Sequence, residues 1–266
     1  MSGYLYWIFW LISFGASIAG AICGIGGGVI IKPTLDAFGA LSVSTISFLS
    51  GCTVLAMTCY SVFKGKMSGE SLIDMKTGTP LAIGAAVGGV VGKSMFQMVA
   101  ACFADKDMVG AVQAACLLVI TLGTLIYTIK KEQIRTLHVT NAIACIVIGI
   151  VLGIFSSFLG IGGGPINLVV LFYFFSMDTK TAAQNSLYII LFSQITSLIN
   201  TLVTRTVPEF TILLLVLMVI GGILGGFCGR IINKRIDTKV VDKLFIFLMV
   251  VIILINIYNI YQFAFA

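Results

Sequence analysis

Two five-residue clusters, Gly24-Ile25-Gly26-Gly27-Gly28 and Gly160-Ile161-Gly162-Gly163-Gly164, each follow a long apolar run. Glycine costs about 1 kcal/mol against alanine within a helix, so three in succession end a helix instead of extending it. Close helix packing needs small residues on one face only and gains little from consecutive ones. A helix that restarts after such a break presents unpaired N–H groups and about half a positive charge at its first turn. Without side chains in the way, those groups suit an anion. Two such termini, contributed by Gly24, Gly26, Gly27 and Gly28 and by Gly162, Gly163 and Gly164, would hold a small anion without arginine. Structural hinges, and coordination of a cation by the freed carbonyls, are the alternatives these residues leave open.

Pro165 follows the second cluster directly, and proline is favoured at the first position of a new helix. A helix over 165–175 rises about 17 Å, short of the roughly 30 Å hydrocarbon core, and so reads as a half-helix. Asn167 lies in its first turn. Further on, "TAAQNSL" (181–187) places Gln184, Asn185 and Ser186 in an otherwise apolar stretch. Thr45 and Ser50, with Ser47 and Thr53 nearby, hold related positions in the first half. Lys93 sits near the middle of an apolar segment, where a cation is costly. It either supplies charge to an anion path or snorkels to an interface. Lys32 poses the same choice, while Asp36 and Asp178, beyond the half-helices, are expected at the water. One histidine (His138), no HExxH and no in-span carboxylate pair argue against an enzyme and against a cofactor. Seven cysteines without a CxxC pair read as small buried hydrophobes.

The elements that position these residues follow from composition. The chain is 59% hydrophobic and 10% charged with a mean hydropathy of +1.13; soluble domains carry about 25% charged residues. An all-α polytopic membrane protein is expected, with about eight spans at 4–23, 41–63, 80–101, 108–129, 139–159, 181–203, 210–229 and 240–261. The first lacks the basic start of a signal peptide and is read as a retained span. The net charge of +6 is read as loop charge biased toward the cytoplasm, not as a nucleic-acid site.

The chain also repeats. An offset of 136 residues lays Gly24 over Gly160, Thr45 over Thr181, Ser50 over Ser186 and Ser61 over Ser197. An offset of 133 lays "VGGVVG" (87–92) over "IGGILGG" (220–226). Two homologous repeats, 1–130 and 131–266, are therefore expected, each with a glycine-rich break followed by a half-helix; substrate sites of such duplicated proteins form at the repeat interface. Eight simple crossings would put the basic stretches 64–68 and 130–135 on one side and 230–243 on the other, against the positive-inside rule. Counting each half-helix as a fifth crossing would unite them and invert the repeats. Because a piece of about 17 Å crosses poorly, eight simple crossings are the expectation.

The paired G-x-GGG clusters, the proline-headed half-helix and "TAAQNSL" resemble the sulfite exporter TauE/SafE family over nearly the whole chain. The resemblance implies transport of a small sulfur-containing anion such as sulfite, a sulfonate or sulfoacetate across the cytoplasmic (inner) membrane. This chain departs from the pattern with Val29 where the second half has Pro165, and "TISFLSG" (45–51) where it has "TAAQNSL". The implied partners are the anion and the bilayer; the coupling ion, proton or sodium, and the oligomeric state stay open. A small-anion channel with a glycine-lined filter is the alternative function.

Overall fold

The computed structural model describes residues 3–102, 106–161 and 163–265. Gly162, one of the expected ligand-binding glycines, lies outside them. The described chain is helical throughout: α1 (Gly3–Cys23), α2 (Gly28–Ala37), α3 (Val43–Met67), α4 (Met75–Cys102), α5 (Lys106–Lys130), α6 (Ala142–Leu159), α7 (Pro165–Phe175), α8 (Thr179–Val203), α9 (Ile212–Arg235) and α10 (Thr238–Phe265). Eight are long and apolar enough to cross a membrane; α2 and α7 are short. Apolar side chains such as Val119, Ile126, Ile143, Val216, Phe247 and Leu254 are exposed on the outside of the bundle, the surface that lipid would cover.

The helix ends have local causes. Ser42 caps α3 by accepting from the Thr45 amide at 3.2 Å. Asn141 caps α6 through the Ile143 and Ala144 amides, and Asp178 caps α8 through those of Lys180 and Thr181. These bonds satisfy donors that a helix start leaves open. Two expected spans begin or end differently. α4 starts at Met75, five residues before Pro80, because the Asp74 side chain accepts from the Lys76 amide and the Thr77 hydroxyl. α9 continues to Arg235, six residues past 229, because Arg230 and Lys234 reach the polar loop at Glu70.

The glycine-rich stretches of α4 and α9 form packing seams. Gly84, Gly88 and Gly92 lie directly against the backbone of Ile146, Ile150 and Ile154 on α6. Gly221, Gly225 and Gly229 lie likewise against Trp10, Phe14 and Ile18 of α1. The other faces of the same two helices, at Gly89 and Gly222, meet Thr196 of α8 and Thr53 of α3. Thus α4 packs on α6 and α8 as α9 packs on α1 and α3, while α5 packs on α10 and α3 on α8.

The half-helices fold back, and this corrects the expectation of eight simple crossings. Phe38, just past α2, stacks edge-on against Phe9 near the start of α1, with centroids 6.3 Å apart. The carbonyls of Tyr173 and Phe174 at the end of α7 accept from the Leu137 and Val139 amides before α6, at 2.7 and 2.9 Å. Each half-helix therefore returns the chain to the end from which the preceding long helix started. As a result, all three basic loops lie at one end of the bundle. There Arg230 donates to Ser61, Ser68 and Glu70, Lys234 pairs with Glu70, and Lys131 pairs with Asp242 at 2.7 Å. Hydrogen bonds from Lys234, Ser68 and Arg230 hold the Glu70 carboxyl below the usual range. At the opposite end, Thr45 donates to the Glu209 carbonyl at 3.0 Å.

Candidate functional site

Each glycine cluster is a break that only glycine makes easily. Gly164, which precedes Pro165, has φ 57° and ψ −137°, a conformation essentially closed to other residues. Gly24 and Gly26 have φ of 75° and 69° and turn the chain from α1 into α2. Neither half-helix has a side-chain cap: Gly27 and Gly164 occupy the cap positions and contribute only backbone. The first-turn donors of α2 and α7 are thus free of side-chain partners.

The two clusters meet. A side chain on Gly28 would strike the Ile161 carbonyl, and one on Gly164 would strike Val29. Ile190 of α8 lies against both Gly26 and Gly163, and Val54 of α3 lies against Gly26 and Gly28. Val54 and Ile190 are themselves related by the 136-residue offset. The half-helix N-termini therefore sit side by side under an apolar plug.

Around this junction lie buried polar atoms without partners. Ser50 and Ser186, both 0% exposed and again 136 residues apart, have unbonded hydroxyls, as do Ser13, Ser17 and Ser47. The Asn167 side-chain oxygen is also unbonded and buried. Ser17 lies beside Gly27, Ser47 beside Gly160 and Asn167 beside Gly163. Native interiors leave few such groups, and each one marks strain, a catalytic role or a place for a bound water or ion.

Two cavities flank the junction. Toward the opposite end, one is lined by Lys93, Gln113, Gln194, Ser197, Ser47 and Gly160. Lys93 faces it with its ammonium 5.4 Å above the Phe96 ring. Toward the basic end, one is lined by Lys180, Arg230, Gln184, Ser61 and Asn233. Ser61 and Ser197, at equivalent positions, line one cavity each.

Of the expected residues, Ser50, Ser186 and Asn167 carry unbonded buried atoms, and Lys93 and Gln184 line cavities. Thr45 and Asn185 are engaged elsewhere. Asn185 accepts from the Asp74 amide and donates to the carbonyls of Leu72 and Thr181, fastening the loop before α4. Asp36 is corrected outright: it is 6% exposed, not at the water, because Lys32 one turn earlier pairs with it at 2.6 Å. Gln194, with Ser193 and Ser197, was expected near the anion from the polar run that follows Ser186; sequence reasoning missed Lys180 and Gln113, and read Arg230 only as loop charge. The signal was the repeat offset, which already matched Ser61 to Ser197 and, applied to their neighbours, finds the second cavity.

No curated protein and no solved structure matches the chain. The sequence profile described as "Sulfite exporter TauE/SafE" matches residues 9–255, nearly its whole length. A helical bundle of eight candidate spans with paired glycine breaks at its centre belongs, by that match, to the sulfite exporter TauE/SafE family.

Proposed function

We propose that the chain is a secondary transporter moving a small sulfur-containing anion, of the sulfite, sulfonate or sulfoacetate class, across the cytoplasmic membrane. The anion binds near the midplane between the N-termini of α2 and α7. Family membership supports a membrane transporter of sulfur-containing anions. The observation that carries the finer reading is the pair of cation-bearing cavities, one holding Lys93 and lined by Gly160, the other holding Lys180 and Arg230 and lined by Ala183, which lies against Gly24.

In this reading an anion reaches the junction from either cavity and exchanges a lysine or arginine for backbone N–H groups and the Ser50 and Ser186 hydroxyls. Those donors lie in a low-dielectric interior, where each is worth more than in water. Glycine leaves them accessible. Val54 and Ile190 close the path between the cavities, so passage requires a rearrangement of the half-helices and not an open pore. The basic end, with its three loops, faces the cytoplasm by the positive-inside rule. A thermal-shift screen of purified protein tests the ligand class, because binding to the native state raises apparent stability. Sulfite, sulfoacetate or a sulfonate should raise the melting temperature while chloride at equal ionic strength does not. A response to cations alone contradicts the anion reading.

A further inference from the structure

The first half-helix carries a buried charge pair that the second does not. Lys32 and Asp36 lie one turn apart on α2, with side chains 4% and 5% exposed and 2.6 Å between Nζ and Oδ2. The pairs Lys131–Asp242 and Arg230–Glu70 are partly exposed by comparison. The 136-residue offset puts Leu168 and Phe172 of α7 at the equivalent places, both buried in the apolar core. The same architecture thus accepts a leucine and a phenylalanine there. Replacing a buried ion pair by apolar residues is often neutral or stabilising, so stability does not explain Lys32 and Asp36.

Their surroundings suggest another role. The second carboxylate oxygen of Asp36, Oδ1, is buried without a partner. The Lys32 side chain runs along Gly160, its Cε 3.6 Å from where a Cβ there would stand, and Gly160 lines the Lys93 cavity. Ser47, on the same wall, has an unbonded buried hydroxyl. An ammonium and a carboxylate with one unpaired oxygen therefore lie just behind the wall of the Lys93 cavity.

We propose that Lys32–Asp36 is a proton-binding site coupled to the anion, an inference that rests on the anion-transport reading. When an anion occupies the Lys93 cavity, Lys32 becomes its counter-ion and Asp36 takes up one proton. Before binding, the pair is neutral. Afterwards the ammonium balances the anion, and the carboxylic acid is neutral. One anion thus travels with one proton and no net charge.

The groups facing the pair are few. α2 packs on α1, α3 and α10. Tyr6 of α1 and Tyr258 and Tyr261 of α10 are phenols. α3 contributes Cys52, which lines the Lys93 cavity. On α10, Asn259 donates to the Pro33 carbonyl at 2.8 Å and does not titrate. The charged residues of α3 and α10, namely Lys64, Lys66, Lys239, Asp242 and Lys243, belong to the basic end. Glu209, in the loop before α9, is exposed.

Calorimetric titration of the full-length protein with methanesulfonate, whose own charge is fixed, tests this across pH 5 to 9 together with a pH-indicator dye in weak buffer. Wild-type protein should take up one proton per anion, and affinity should fall about tenfold per pH unit above the titration of Asp36. Asp36→Asn should bind with no proton uptake and no pH slope. If that variant misfolds around an unpaired Lys32, the double variant Lys32→Leu/Asp36→Phe installs the residues of the second half. It should fold, bind more weakly, and show a flat pH profile. Anion binding by wild type without proton uptake, or a double variant that keeps the slope, overturns the proton site. Absence of methanesulfonate binding to wild type at every pH overturns instead the anion reading on which it rests.

Discussion

Lys93 and the glycines test the chemistry one side chain at a time. Lys93 lines a cavity beside Gln194 and Ser197, so Lys93→Gln should weaken binding of a dianion such as sulfate or sulfoacetate. Hydrogen bonds to a charged group contribute about 1.5–3 kcal/mol, which predicts roughly a tenfold to hundredfold loss, smaller for a monoanion. Wild-type affinity for both anions in the variant would leave Lys93 outside the path. The glycines divide in a way that the identical "GIGGG" letters hide. Gly27 has ordinary helical dihedrals, with Ser17 and Ile31 nearest to a Cβ placed there, whereas Gly163 has φ 103° and Asn167 and Ile190 against it. Gly27→Ala should therefore fold and bind more weakly, and Gly27→Val more weakly still. Gly163→Ala should lose about 1–3 kcal/mol of stability from backbone strain. Melting curves beside titrations separate the two. The clusters, Ser50 and Ser186 were legible in sequence because repetition marked them. Asp36 was not, because its partner is set by one turn of a short helix whose burial depends on α1, α3 and α10.

At the scale of helices, the seams and the half-helices carry different loads. Gly88 touches the backbone of Ile150, whereas a methyl group on Gly123 of α5 would meet nothing within 4 Å. Gly88→Ala should force α4 from α6 and lower the melting temperature. Gly123→Ala should be neutral or stabilise by up to about 1 kcal/mol, since alanine is the better helix former. Equal melting temperatures for the two would deny the seam. The spans were legible because about 20 apolar residues are hard to read otherwise. Their ends were less so where a charged tail continues the helix, as Arg230 and Lys234 do in α9. The short helix after Pro165 was recognisable from its proline and length. Its direction was not, because a chain that folds back and one that crosses have the same local sequence; contacts such as Phe38 on Phe9 decide it.

The whole bundle places its three basic loops at one end and its two cavities toward opposite ends, which makes sidedness and transport measurable together. A cysteine introduced at Ser71, with the native cysteines controlled for, should react with an impermeant maleimide only from the cytoplasmic side, and one at Val207 only from outside. Reaction of both from the same side would contradict the fold-back of α7, which lies between the two positions. In the proposed transporter a sulfur-containing anion passes the glycine junction by a rearrangement and not through an open pore. Counterflow in proteoliposomes addresses it most directly. Vesicles loaded with unlabelled sulfite and diluted into a trace of isotope-labelled sulfite should accumulate label transiently above equilibrium. The uptake should saturate with external sulfite and be reduced in Gly27→Val protein that still folds. Non-saturating uptake without counterflow, or unitary anion currents from the same protein in planar bilayers, would contradict the account.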